Sequence, residues 1–455
     1  MRGLAPATIF ATCFAASLLS APVKAFKIDP WSYRPFGVSP RGIESQLETL
    51  VRNPRMLLLG PIAFGTRLPA AMGQLKEPAH ENLTELSIRC ARAPLARGNI
   101  AVGVNPVNAA AVNMITLCAG RGGELRSHAS DLGEDMEEVI RAVRFNDAPP
   151  IKTARALMAL VTPSALICGE VRVPENAACW ALLMAHAGGL AVADPANPQF
   201  ARGGNFLYRS HFGDMQFMHA MAARGETLAQ SQARVLVWAK FAYQVAGGEI
   251  APEMRIGALS EFAAILGGFE AVSVAEFFEI RGGTSPERIR RIALGALLHT
   301  IQDSFAEGHA ERETAGAARF GAISAFRDFT CQSEEKHGAA DRAAHYAWFG
   351  AAAHEEKSPV TLGAQVLDML ERKLVWDAGI RTNAAQGAAV LAVGEFMREN
   401  IFPIVAANAA QVAGAGAQFA RGKAPPSRMD PDTGAISAAR ADDSVPRPNV
   451  SECRD

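Results

Sequence analysis

The chain has 455 residues, 49% hydrophobic and 20% charged, a balance that excludes a disordered chain, a coiled coil and a small disulfide scaffold. Aromatic residues make up only 7%, and the abundance of Ala and Gly suits close helix packing better than a β-sandwich rich in Val, Thr and Tyr. The expected fold class is all-α, as a single multi-helix domain.

Residues 1–25 carry Arg2 in a short basic region, an apolar stretch from Ile9 to Leu19 and the small-residue exit Val23-Lys24-Ala25. This pattern predicts a signal peptide and a secreted or periplasmic location. A membrane anchor needs roughly 20 unbroken apolar residues, and Thr8, Thr12, Ser17 and Ser20 leave too few, so no transmembrane segment is expected after signal removal. Losing Arg2 and Lys24 from 45 basic residues set against 46 acidic ones brings the mature net charge to about −3. No broad basic surface is left to hold nucleic acid by counterion release, and stable nucleic-acid binding is not expected. Cys13 leaves with the signal, and Cys90, Cys118, Cys168, Cys179, Cys331 and Cys453 remain. An even number in an exported chain permits disulfides, Cys168 with Cys179 being the favoured local pair among many formal pairings. With no Cys-x-x-Cys, a thiolate zinc site is disfavoured.

Residues 26–74, rich in Pro, Gly and Arg, read as an irregular leader with one helix near 43–51. Helical periodicity then dominates 75–420, with predicted helices at 81–92, 136–144, 153–161, 177–187, 228–245, 259–266, 286–305, 338–354, 366–374 and 384–418, the last kinked at Pro403. Residues 421–455 are polar and Pro-rich, a composition expected to be disordered. The Gly clusters at 120–123 and 282–285 lack the lysine and preceding strand of a phosphate loop and read as turns. A Gly-x-Ser-x-Gly elbow is absent.

The chemistry concentrates in LGALLHTIQDSFAEGHAER. His299 and Asp303 stand four apart on one face of an apolar helix, and His309 follows six residues later. Neutral imidazoles beside a carboxylate are zinc ligands by type. A second pair, His337 and Asp341, repeats the spacing, with His345 one turn further. The competing interpretation is a polar core in which His and Asp merely satisfy each other, which would make the chain a helical binding protein without catalysis. Two such pairs in an Ala-rich chain are costly by packing standards.

The spacing His-x-x-x-Asp-x-x-x-x-x-His at His299, Asp303 and His309, followed by His337-x-x-x-Asp341, resembles the zinc-dependent phospholipase C and P1/S1-nuclease superfamily, on its bacterial phospholipase C side. His80 in HENLTELSIRCA is similar to the family's first-helix histidine, and His211 in NFLYRSHFGD to the histidine of its Ser-His-Phe segment. Asp194 stands where the family has an aspartate ahead of that histidine. The resemblance implies an all-helical phosphodiester hydrolase with zinc, three ions or two, held by His80, Asp194, His211, His299, Asp303, His309, His337 and Asp341. Asp303 would be the carboxylate shared between metals and Asp194 a ligand or general base, making these two the catalytic candidates. It further implies phospholipase C action on phospholipid at a membrane surface, with single-strand nuclease action as the alternative.

Two features depart from the family. Its N-terminal Trp ligand has no close counterpart, since Trp31 is far from His80, and the stretch between His80 and Asp194 is long. Asp214 reads as a partner to a metal histidine. His219, set among Met215, Phe217, Met218 and Met221, reads as an ordinary helix residue with an alternative role beside the metals, as does His345. Phe206, Leu207, Tyr208 and Phe212 are expected to form an apolar lip beside His211.

Overall fold

The computed structural model describes residues 79–92, 133–147, 149, 206–279, 284–306, 308–313, 320–329, 358–377, 381–382, 389–390, 392–411, 428–429 and 436–437. These residues are mostly helical. In chain order they form α1 (Ala79–Ala91), α2 (Glu134–Ala142) running into a 3-10 turn at Val143–Phe145, α3 (Phe206–His211), a 3-10 turn at Gln216–His219, and α4 (Leu228–Gly247). The short α5 (Ser260–Ala263) and α6 (Val274–Phe278) precede α7 (Pro286–Asp303), β1 (Ala310–Arg312) and β2 (Ile323–Phe326). After them come α8 (Pro359–Glu371), β3 (Arg381–Thr382), β4 (Ala389–Val390), α9 (Val393–Phe396) with a π turn at Met397–Ile401, β5 (Arg428–Met429) and β6 (Ile436–Ser437). Among the described residues the strands form antiparallel two-stranded ladders, β1 with β2, β3 with β4 and β5 with β6, and Ile323 of β2 also bridges Ile404 in parallel.

Helix α7 is the axis of the described fold, packed against α4, α2, α1 and α8, with α1 also lying along α8. Its start is written in the sequence. Ser285 accepts a hydrogen bond from the amide of Arg288 and Pro286 opens the first turn, where its missing N–H costs nothing. Ser285→Ala is expected to cost about 1 kcal/mol in urea denaturation. From Gly295 to Asp303 every residue is buried, so α7 is enclosed on all sides by the time it reaches its polar residues. Helix α4 carries a capping box between Thr227 and Gln230 and ends on Gly248 at φ 77°, a left-handed position suited to Gly. The aromatic core lies between these helices, with Trp238 and Phe241 of α4 packed against Phe277 and Phe278 of α6.

Two glycines permit close approaches. A Cβ on Gly295 would stand 2.6 Å from the Val143 nitrogen, and one on Gly363 would stand 2.7 Å from Ser87 Oγ. The first lets α7 touch the end of α2, and the second lets α8 touch α1.

Several predicted elements shift. The helix expected at 366–374 begins earlier, at Pro359, behind a Ser358 cap. Within the helix expected at 384–418, the described residues instead form β4, the short α9, the π turn that stops at Ile401 and a 3-10 turn at Ala406–Asn408, and residues 384–388, 391 and 412–418 lie outside the described residues. Pro403 explains the stop, because it offers no N–H to a helix and disfavours helical backbone at Phe402. Its carbonyl instead accepts the amide of Ile323 at 2.6 Å. The helices expected at 153–161, 177–187 and 338–354 lie outside the described residues, as do the signal and leader. Of the tail, only the four residues of the β5–β6 ladder are described. Cys90 is disulfide-bonded, with its partner outside the described residues. No helix among the described residues is long and apolar enough to cross a membrane.

Candidate metal centre

The last turns of α7 bring His299 and Asp303 to one face, as their spacing of four requires. His299 Nε2 lies 2.8 Å from Asp303 Oδ2. The carboxylate is ringed by three further histidines. His219 Nδ1 is 2.9 Å from Oδ2, His309 Nδ1 is 3.4 Å from Oδ2, and His80 Nε2 is 3.4 Å from Oδ1. Asp147 adds a second carboxylate, its Oδ1 3.6 Å from His299 Nε2 and 3.9 Å from His219 Nδ1. His211 completes the cluster, its ring 4.5 Å from that of His219 and its Nδ1 2.9 Å from Ser210 Oγ.

These side chains are buried, His80 being the most exposed at 15% of its side-chain surface. The ligand-type residues fall into three overlapping groups: His80, Asp147 and His299; Asp147, His211 and His219; His219, Asp303 and His309. Such buried His/Asp groups could hold a metal ion. Two donor atoms of a tetrahedral zinc with bonds near 2.1 Å stand about 3.4 Å apart. His219 Nδ1, His299 Nε2 and Asp303 Oδ2 lie 2.8 to 3.2 Å from one another, and Asp147 Oδ1 lies 3.6 and 3.9 Å from the two nitrogens, separations that bracket that spacing.

Backbone and amide acceptors fix most of the rings. His299 Nδ1 meets the carbonyl of Val143 at 2.7 Å, His309 Nδ1 the carbonyl of His219 at 2.8 Å, and His80 Nδ1 the Gln302 Oε1 at 2.8 Å. Carbonyl oxygens only accept, so each Nδ1 carries a proton, and in the neutral ring Nε2 keeps its lone pair. His219 is turned the other way, with Nε2 donating to the carbonyl of Asn146 at 3.2 Å and Nδ1 facing Asp303. Holding the far ring nitrogen this way is how proteins orient metal-binding histidines.

Electrostatics follow burial and proximity. Burial, helped by the neighbouring His299, pushes His80 down to about 3, and burial pushes His219 down to about 4 against the pull of Asp303. His299 is also penalised by burial, but Asp303 and Asp147 overcome this and raise it to about 9. Asp303 lies well below the ordinary carboxylate value, because His299, His309 and His80 outweigh its burial. Burial raises Asp147 to about 7, partly opposed by His299. Without metal, His299 is therefore an imidazolium held against the firmly ionised Asp303.

Of the predicted residues, His80, His211, His299, Asp303 and His309 come together here. His219, read from sequence as a helix residue with an alternative role, sits at the centre of the cluster and bonds Asp303 directly. Asp147 was missed. Its segment FNDAPP reads as turn chemistry, since Asn and Asp before Pro are ordinary loop formers, and its one sequence signal is its place just after the amphipathic α2. Asp194, His337, Asp341 and His345 lie outside the described residues. Asp214 does not pair with a histidine as expected. Its carboxylate takes two hydrogen bonds from Arg209, both at 2.8 Å, and Arg209 also donates to the carbonyl of Gly267 and lies over Phe269. Burial would raise Asp214, but Arg209 holds it below the usual carboxylate value. Its contribution to stability is therefore present at neutral pH and lost as pH falls through that lowered value. Asp214→Asn leaves the fully buried Arg209 without its anion and is expected to cost about 3 kcal/mol in chemical denaturation, a loss that shrinks in acid.

The apolar lip is only partly formed as expected. Phe206 is core, packed against Phe145, Phe269 and Phe277. Phe212 is half-buried and meets Phe329 edge to face at 4.8 Å. The side chains of Leu207 and Tyr208 lie outside the described residues. Comparison of the chain with protein-family models, with curated proteins and with solved structures finds no match.

Proposed function

We propose that the chain is an exported zinc-dependent phosphodiester hydrolase of phospholipase C type, with the corresponding all-helical fold and three zinc ions or two. One observation carries the metal reading. Both nitrogens of His219 face oxygen acceptors, Asp303 Oδ2 at 2.9 Å and the Asn146 carbonyl at 3.2 Å, whereas a neutral imidazole has one N–H to give. A cation between Nδ1 and Asp303 resolves the conflict, and the lone pair of His299 Nε2, 3.2 Å from the same Nδ1, points to the same place. Four nitrogen and oxygen donors with no thiolate suit zinc.

Bound zinc supplies Lewis acidity toward a phosphoryl oxygen and toward water. The chain's residues do the rest. Asp303, touching four imidazoles, is the carboxylate placed to serve two ions. Asp147 is a second carboxylate at the cluster, its Oδ1 3.6 Å from His299 Nε2, placed to be a ligand or to accept a proton from an attacking water. It joins Asp194, to which the resemblance gives the same choice of roles and which lies outside the described residues. The expected location is secreted or periplasmic, in keeping with the disulfide at Cys90.

The negative mature charge favours a lipid surface over a polyanion. A nuclease reading has one observation on its side, the Phe212–Phe329 pair beside His211, an aromatic surface on which a base could stack. Elemental analysis and substrate competition test both. We expect zinc in the purified protein, and release of diacylglycerol and phosphorylated headgroup from phosphatidylcholine vesicles faster than nucleotides from single-stranded DNA or RNA. Nucleotides without diacylglycerol would promote the nuclease reading. Absence of metal and of both activities would leave a helical protein whose His and Asp residues satisfy a polar core.

A further inference from the structure

We propose that Asn146 is the positioning residue of the metal centre, tying three ligand-bearing segments into one frame; this rests on the metal reading above. Asn146 is fully buried. Its Nδ2 donates to the carbonyl of Met218 at 2.7 Å, and to the carbonyl of Ala296 and Thr300 Oγ1, both at 3.1 Å. Met218 precedes His219, Thr300 follows His299, Ala296 lies one turn before His299, and Asn146 itself precedes Asp147. One side-chain amide thus holds the backbone beside three ligands drawn from three separate elements. The carbonyl of Asn146 adds the fourth tie, accepting His219 Nε2 and so turning Nδ1 toward Asp303.

Thr300 completes the frame. Its hydroxyl donates to the carbonyl of Met218 at 2.7 Å and accepts from Asn146 Nδ2 and, at 2.9 Å, from Trp238 Nε1. One donor and two acceptors are the whole capacity of a hydroxyl, so Thr300 is saturated. Asn146 is not, because its Oδ1 is buried and meets no donor among the described residues. A buried amide with an unanswered oxygen is poor value for stability alone, since an apolar residue of the same shape would avoid that loss. What an apolar residue cannot do is fix two carbonyls and a hydroxyl, and through them the spacing of Asp147, His219 and His299.

The test measures zinc affinity by chelator competition, together with the melting temperature of the metal-free protein. Asn146→Leu keeps the size and removes the ties. We expect zinc to bind about 10–100-fold more weakly, the loss typical for partners that orient metal ligands. Thr300→Val should weaken zinc in the same direction and Thr300→Ser, which keeps the hydroxyl, should restore wild-type affinity; this pair decides the matter if Asn146→Leu fails to fold. In zinc-loaded wild type, ¹⁵N histidine spectra should show His219 bound through Nδ1. Unchanged affinity in both Asn146→Leu and Thr300→Val, or in Thr300→Val alone if Asn146→Leu does not fold, would overturn the proposal, as would His219 bound through Nε2. Wild-type protein that takes up no zinc would overturn the metal reading itself, a failure visible before any variant is made.

Discussion

Asp303→Asn is expected to empty the proposed metal centre and abolish the proposed hydrolysis while leaving helix content in place. The carboxylate stands within 3.4 Å of nitrogens from His80, His219, His299 and His309, so this one change touches four of the candidate ligands. Asparagine keeps the shape and removes the charge that offsets the metal and, in its absence, the His299 imidazolium. Losing these charge-assisted bonds costs about 2–3 kcal/mol even without metal. With metal the loss is larger, because binding free energy adds to folding free energy: an ion at 100 times its dissociation constant contributes about 2.7 kcal/mol. Chelation of the wild type should therefore lower its melting temperature by several degrees. A variant with full zinc content, or a wild type whose melting curve ignores chelation, would refute this account.

The metal-free protein should also show a distinctive pH profile. His299 is raised to about 9 from 6.5, so its contribution is fully present below pH 6.5 and disappears as pH rises through 9. Asp147, raised to about 7 from 3.8, acts in the same direction from pH 3.8 to 7, since its ionisation is disfavoured by folding. The lowered values of His80 and His219 act oppositely, but only between about 3 and 6.5. The chelated protein is thus expected to lose stability between pH 6.5 and 9. Melting curves that stay level or rise across that window would contradict the assignment.

Gly295→Ala is expected to be strongly damaging although it lies outside the centre, costing about 3 kcal/mol. The added methyl would stand 2.6 Å from the Val143 nitrogen and 2.7 Å from Ala142 Cβ. Rigid helix backbone lies on both sides, so α7 must back away from the end of α2. That movement stretches the bond from His299 Nδ1 to the Val143 carbonyl and the tie from Asn146 to Ala296. The gain in helix propensity, about 1 kcal/mol, does not offset this. Denaturation should show the loss, and zinc titration a weaker site; a variant as stable as wild type would refute the close packing.

Helix α7 was legible because every level of its sequence agrees: a Ser-Pro start, an apolar run and a His-x-x-x-Asp pair. His80 and His309 were found through their spacing and resemblance, both properties of sequence order. Asp147 was missed and His219 was read only as an alternative, because their roles depend on where two 3-10 turns end in space, and short turns leave no periodic trace. The same blindness affected 384–418, where an Ala-rich helical pattern yields to Pro403 and to pairing with the Ile323 strand. Gly295 carries no sequence signal of its role, because the backbone that excludes a side chain there belongs to Ala142 and Val143, far away in the chain.

The hydrogen bond between His80 and Gln302 joins positions 222 residues apart, whereas His219 and Asp303 are separated by 84. By chain statistics the longer closure costs less than about 1 kcal/mol extra, so equilibrium barely registers it. Time does, because contacts between distant parts of a chain form slowly. The contact between α1 and α7 is therefore expected to form later than that between His219 and Asp303, and refolding followed by a probe at each place would show the delay.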